Sequence, residues 1–169
     1  MWKEIKPEEC NDNTFSLIGK EWMLVAAGDK EKANAMTASW GGLGIMWGQN
    51  VAYVVIRPQR YTKGFVDAKE RFTLSFLPEQ YREALNYMGT ASGRDEDKIA
   101  KSGLHLTFLE EQPAFEESRM IMVCKKLFAQ KMQEESFLRQ EIVDQCYPEK
   151  DFHTLYIAQI EHVFIKESD

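Results

Sequence analysis

The chain has 169 residues, 44% of them hydrophobic and 28% charged, with 21 Lys+Arg against 27 Asp+Glu for a net charge of −6. That size and balance fit a single globular domain over 1–169 with a core of its own, and the acidic sign excludes the clustered positive charge of a nucleic-acid binder. No apolar run reaches the length of a membrane span, and MWKEIKPEEC has no apolar stretch behind its lysines, so the protein is expected to be cytoplasmic, with no membrane partner.

In chain order, Trp22–Ala27 closed by Gly28-Asp29 predicts a strand and a turn. Asn34–Trp40 predicts a second strand, broken by Gly41-Gly42, and Gly41-Gly42-Leu43-Gly44 reads as a turn. Val51–Ile56, rich in β-branched and aromatic residues, predicts a strand that stops at Arg57-Pro58. Thr62 is placed to cap a short helix through Ala68. Phe72–Leu77 alternates strictly, which predicts a half-buried strand. Pro78 opens a helix with Tyr81, Leu85 and Met88 on one face and Gly89 at its end. Ser92 and Asp95 have capping-box spacing ahead of a helix over 97–101 that Gly103 closes. Two longer strands are predicted over Met120–Phe128 and Leu155–Ile165. Helices between hairpins, rather than between every strand, argue against a doubly wound sheet. The expected class is mainly β (α+β), a barrel with a few short helices.

Cys10, Cys124 and Cys146 are an odd number with no close pair and read as free thiols. His105, His153 and His162 lack ligand spacing, so no metal is expected. The sequence has no GxSxG, Walker loop, HExxH or GxGxxG, and no Ser–His or Cys–His arrangement. Enzymatic chemistry would therefore belong to a cofactor, and no catalytic side chain is assigned.

Two segments stand out. Asn34-Ala-Met36-Thr37-Ala38-Ser39-Trp40 is a strand of small and hydroxylated residues ending in tryptophan. It reads either as close backbone approach to a flat ligand or as an ordinary edge strand with Trp40 in the core. Ile56-Arg57-Pro58-Gln59-Arg60-Tyr61-Thr62 leads from a strand through a proline turn to a helix start. Its free amides, Arg60 and the Thr62 hydroxyl would suit a phosphate monoester. A solvated turn with surface arginines is the other reading.

In this order the segments resemble the flavin reductase-like family, whose members bind FMN in a split β-barrel. The family's N-x-M-T-x-S-W strand matches Asn34–Trp40, and its P-x-R-Y/F-T turn matches Pro58–Thr62. Its S-G-R-D-x-D-K segment matches Ser92-Gly93-Arg94-Asp95 with Asp97-Lys98, and its D-x-H-x-L-Y-I strand matches Asp151–Ile157. The likeness runs from roughly residue 20 to 166; Ala158-Gln159-Ile160-Glu161 departs from it where relatives often carry a glycine and an acidic residue.

The resemblance implies that Asn34, Met36, Thr37, Ala38, Ser39 and Trp40 face the isoalloxazine and ribityl groups of FMN. It implies that Arg60, Tyr61 and Thr62 hold the phosphate, with Arg57 and Lys63 as helpers. Ser92, Arg94, Asp95 and Lys98 would approach the flavin from a loop, across the interface of a homodimer. His153 would manage protons near the ring or serve as a structural residue. The implied activity is an NAD(P)H:flavin reductase that passes electrons from NADH or NADPH through FMN to free flavin, another small-molecule acceptor or a partner redox protein. The alternatives are a flavoredoxin-like FMN-holding electron carrier and a binding module that has lost its flavin.

Overall fold

The computed structural model describes residues 1–167. Its strands are β1 (Trp2–Ile5), β2 (Met23–Gly28), β3 (Ala33–Ala38), β4 (Gly41–Met46), β5 (Gln49–Ile56), β6 (Arg71–Phe76), β7 (Leu106–Leu109), β8 (Gln112–Phe115), β9 (Met120–Lys131) and β10 (Thr154–Lys166). The helices are short: α1 (Thr14–Ser16), α2 (Tyr61–Ala68), α3 (Arg82–Thr90), α4 (Lys98–Ser102) and α5 (Gln140–Cys146). The main sheet runs β3-β2-β6-β9-β10-β5-β4 with every neighbouring pair antiparallel. The mainly-β (α+β) architecture expected from the sequence is the one observed. β10 organises it: its first half pairs with β5, its second half with β1, and β9 follows it along most of its length.

The unbroken apolar run of β2 has a structural cause. Met23, Val25 and Ala27 point into the barrel core, while Leu24 and Ala26 pack under Leu85 and Met88 of α3. A strand covered on both faces needs apolar residues throughout, where a half-solvated one would alternate. β6 corrects the half-buried expectation in the same way. Phe72, Leu74 and Phe76 enter the barrel, yet Thr73 and Ser75 are also fully buried, and Thr73 Oγ1 donates to the Pro113 carbonyl at 2.6 Å. The small polar residues therefore mark a face covered by β8 rather than by water.

Other expectations need adjustment. Trp22 lies outside β2 with φ 69°, its ring under the Arg82 guanidinium at 4.1 Å. Gly41–Gly44 is part of strand β4 and not a turn, paired with β5 from Gly41↔Val54 to Met46↔Gln49. A Cβ on Gly42 would come within 2.4 Å of the Tyr53 ring, so this strand uses glycine to let an aromatic side chain lie across it. Arg60, not Thr62, is the N-cap of α2. Asp97 caps α4 by accepting from the Ala100 amide, in place of the Ser92/Asp95 box, and Gly103 closes that helix at φ 75° as expected. Pro78 precedes a 3₁₀ turn over Glu79–Tyr81, and α3 follows it to Thr90. Helix α5 lies in an excursion between β9 and β10 and has a small core of its own around Val143, Tyr147 and Phe152. The three cysteines are free thiols, and Cys124 is fully buried.

The barrel core depends on its aromatic residues. Phe76→Ala removes a ring that is 0% exposed and is expected to lower unfolding free energy by about 3–5 kcal/mol, measured as a shift in the urea midpoint at unchanged slope.

Candidate functional site

The end of β3, the end of β5 and the approach to β10 enclose a cavity of about 310 Å³ lined by Met36, Thr37, Ala38, Ser39, Trp40, Val55, Arg57, Arg60 and His153. Sheet topology explains this meeting, since β5 pairs with β10 through Ile56↔Thr154. Trp40 is about half exposed at the rim, its ring 5.2 Å from that of His153. Of its two sequence readings, the core one is thereby excluded. Thr37 Oγ1 donates to the Leu85 carbonyl at 2.5 Å, so its hydroxyl ties β3 to α3. Asn34 lies behind this wall, 5% exposed, and its Nδ2 donates to Thr62 Oγ1 at 3.0 Å.

Arg60 occupies the boundary between this cavity and a groove of about 620 Å³ that also includes Tyr61, Lys63 and Arg94. Its Nη1 donates to the Gly89 carbonyl at 2.8 Å, while its buried Nη2 has no partner. Burial disfavours its charged form. Beside it, Lys98 is 3% exposed, and its ammonium donates to the carbonyls of Met88 at 3.0 Å and Ala91 at 3.1 Å. Burial, then the nearby Arg60, pulls the Lys98 pKa down to about 8. Neither cation is bonded to a carboxylate among the described residues. Both sit at the C-terminal end of α3, where exposed carbonyls and the helix dipole favour positive charge.

The remaining candidates divide into two groups. Tyr61 meets Phe65 edge to face at 5.2 Å, with the Arg94 guanidinium 5.1 Å over its ring. Arg94 Nη1 also donates to the Gln59 carbonyl at 2.7 Å, and Ser92 Oγ accepts from the Arg94 amide. Gly93 lets this loop close, because a Cβ there would fall 2.5 Å from Asn34 Oδ1. Arg57, which also lines the cavity, is by contrast engaged by other partners. Its guanidinium donates to Asp151 Oδ2 and to the Cys146 carbonyl, each at 2.8 Å, and lies 5.0 Å over the Tyr147 ring. Lys63 is paired with Asp67 at 2.7 Å, and Asp95 amide donates to the Ser92 carbonyl. The structure thus unites β3, Arg60 and His153 around the cavity and gathers Tyr61, Ser92 and Arg94 on the far side of Arg60. Val55, Asp151 and Tyr147 were not among the sequence candidates. Only Asp151 had a signal, as the first residue of the Asp151–Ile157 pattern.

His153 is 7% exposed, and its Nδ1 lies 2.7 Å from Tyr147 Oη. Burial, then the Arg57 charge, lowers its pKa to about 4, with Asp151 opposing.

With this geometry in place, the comparisons are specific. The family described as flavin reductase like domain matches residues 15–169, and the chain belongs to it. Among solved structures it is similar to the FMN-binding domain of a flavin reductases-like enzyme from Shewanella baltica OS155, with TM-score 0.71, 16% identity, and coverage of 98% of this chain and 77% of that one. It is similar to an FMN-binding protein from Thermus thermophilus at TM-score 0.70 and 18% identity, covering 98% and 83%. Flavoredoxin of Desulfovibrio vulgaris (Miyazaki F) aligns at TM-score 0.68 and 22% identity, covering 96% and 78%. At these identities the shared property is the fold, the flavin reductase-like split barrel. No curated protein matches the sequence.

Because His153 is neutral in the folded protein down to about pH 4 and an exposed histidine protonates near 6.5, the unfolded chain binds the extra proton between those values. Stability is therefore expected to fall as pH drops from about 6.5 to about 4, by at most about 3 kcal/mol from this residue. His153→Gln removes that contribution, as measured by urea unfolding across the pH series.

Proposed function

We propose that this protein is an FMN-binding oxidoreductase in which Arg60 receives the FMN phosphate and the β3 wall receives the ring. The observation that carries the reading is the buried, unpartnered Nη2 of Arg60 next to Lys98, two cations without a carboxylate between them. A buried donor without a partner carries a desolvation penalty of about 1–3 kcal/mol, and a dianionic phosphate would remove it through a charge-assisted bond. The small residues of β3 suit the flat partner, since Ala38 and Ser39 line the cavity beside Trp40. The Asn34–Thr62 bond and Gly93 hold the wall and the Ser92–Arg94 loop against each other. Bound FMN would supply reversible electron transfer; the chain's own groups bind, orient and screen it.

On this reading NADH or NADPH is the reductant, and free flavin, another small molecule or a partner redox protein is the acceptor. The placement is cytoplasmic, in line with free cysteines throughout, and no described helix is long and apolar enough to cross a membrane. We also assign a homodimer. β4 ends the main sheet, and Ile45, Met46, Trp47 and Tyr53 on its hairpin are exposed together with Leu127 and Phe128. Trp47 holds φ 51° in a two-residue turn with Gly48 at φ 68°. A left-handed backbone disfavours a large side chain there by roughly 1–2 kcal/mol, so a tryptophan against Phe128 at 6.2 Å is accounted for by an apolar patch that a second copy covers.

Four measurements test this. Arg60→Glu is expected to weaken FMN binding by about 10–100-fold while leaving riboflavin, which lacks the phosphate, unchanged; equal loss of both ligands removes the phosphate assignment. FMN affinity relative to riboflavin should decline above about pH 8, where Lys98 loses its proton, because phosphate binding then requires proton uptake. Trp47→Glu should convert a dimer to a monomer in sedimentation velocity. Anaerobic NADH or NADPH added to the FMN-loaded protein should bleach its visible bands; bands that persist while a reduced partner protein bleaches them assign an electron carrier.

A further inference from the structure

The excursion between β9 and β10 carries a tyrosine whose one strong acceptor among the described residues is an imidazole facing the cavity. Tyr147 Oη is 2.7 Å from His153 Nδ1 and 3.7 Å from the Met132 thioether sulfur. A thioether is a weak acceptor and a neutral imidazole nitrogen a good one, so the phenol proton goes to Nδ1. The two rings meet edge on, at 81° and 5.5 Å between centroids. Among the described residues Nε2 has no hydrogen-bond partner, the ring's one side-chain bond being that of Nδ1. It is not sealed away either, since the buried unpartnered side-chain atoms among the described residues belong to Arg60, Ser75, Arg82 and Ser118. The open edge of the ring is therefore the one at the cavity, where His153 lies beside Trp40.

We propose that Tyr147 is a positioning residue that fixes His153 as a neutral imidazole with its proton on Nε2, presenting an N–H donor to a carbonyl-type oxygen on the molecule that exchanges electrons in this cavity. The charged groups around the ring fit this assignment. Arg57, at the end of β5, lies over the Tyr147 ring and opposes a second positive charge on His153. Asp151, which would favour that charge, has its Oδ2 engaged by Arg57 and by Gln59 at 2.7 Å. A phenol that donates to Nδ1 blocks the lone pair through which the ring would gain a proton. The ring then serves as a fixed donor and not as an acid or base. The identity of the bound molecule rests on the cofactor reading above, whereas the tautomer is a property of the chain alone.

Long-range ¹H–¹⁵N correlation spectra of the full-length, ¹⁵N-labelled protein without flavin at pH 7 test the tautomer. The expected pattern for His153, assigned by its loss in His153→Gln, is a proton on Nε2 and an acceptor-type Nδ1. Tyr147→Phe should give a mixture of tautomers, with His105 and His162 unchanged as internal controls. A proton on Nδ1, a charged ring at pH 7, or an unaltered tautomer in Tyr147→Phe overturns the proposal. The wild-type spectrum decides the tautomer even where the variant fails to fold. Benzaldehyde and toluene then probe the donor. Benzaldehyde should shift the Nε2–H resonance and toluene should not, and Tyr147→Phe should lose the difference; equal shifts, or none from either, overturn the recognition of an oxygen acceptor. Loss of FMN binding with an intact tautomer pattern would instead overturn the cofactor reading alone.

Discussion

A buried lysine and a half-buried arginine anchored on the end of one helix are the constraint around which the site is arranged. Arg60 and Lys98 come from separate stretches of chain, yet both donate to carbonyls that α3 leaves free as it terminates, those of Met88, Gly89 and Ala91. Those carbonyls need donors because a helix cannot satisfy its own last turn. The same bonds hold the turn before α2, the end of α3 and the start of α4 together. This arrangement leaves positive charge unneutralised: carbonyl dipoles hold a guanidinium in place but do not cancel it, so one Arg60 nitrogen remains without a partner.

The sheet supplies the counterpart. β3 is held at its buried end by Asn34 to Thr62 and further along by Thr37 to the Leu85 carbonyl. Two polar side chains that could have contacted a ligand are thereby committed to fixing the wall. What the wall offers the cavity is the stretch from Met36 to Trp40, with small side chains between a methionine and a tryptophan. The covering of β2 on both faces, by the barrel core and by α3, makes that wall stiff.

Much of this was legible in the sequence. Long apolar runs located β2, β5, β9 and β10, and three of the four short motifs contain residues that line the cavity, while the Ser92–Lys98 segment lies beyond Arg60. The failures have physical reasons. Gly41–Gly44 reads as a turn on composition, yet it is a strand paired in a hairpin with β5, where Gly41 and Gly42 leave the space that Tyr53 opposite occupies. Phe72–Leu77 reads as half-solvated because Thr73 and Ser75 are polar, but β8 covers them and satisfies Thr73. Thr62 looks like a cap by position, whereas its hydroxyl serves as an acceptor for a buried asparagine. Arg57 and Arg60, three residues apart, are read on paper as a helper and a holder of the same phosphate. Their roles diverge because Asp151, more than ninety residues downstream, draws one of them away.

That divergence gives the cavity its polarity. Arg60, shared with the groove beyond, makes one side cationic. Arg57, neutralised by Asp151 and stacked on Tyr147, contributes to the other side mainly by keeping His153 uncharged. A second free cation at that position would compete with Arg60 for the same anion and leave its orientation undetermined. With one charged end and one neutral hydrogen-bonding end, a ligand carrying a phosphate at one terminus and a polar ring at the other has a single favourable direction. The direction is set by the excursion between β9 and β10, whose α5 region brings Tyr147 and Asp151 to the cavity. The barrel supplies the wall and the α3 terminus anchors the charge, so the excursion is the part of the chain that shapes the cavity opposite Arg60.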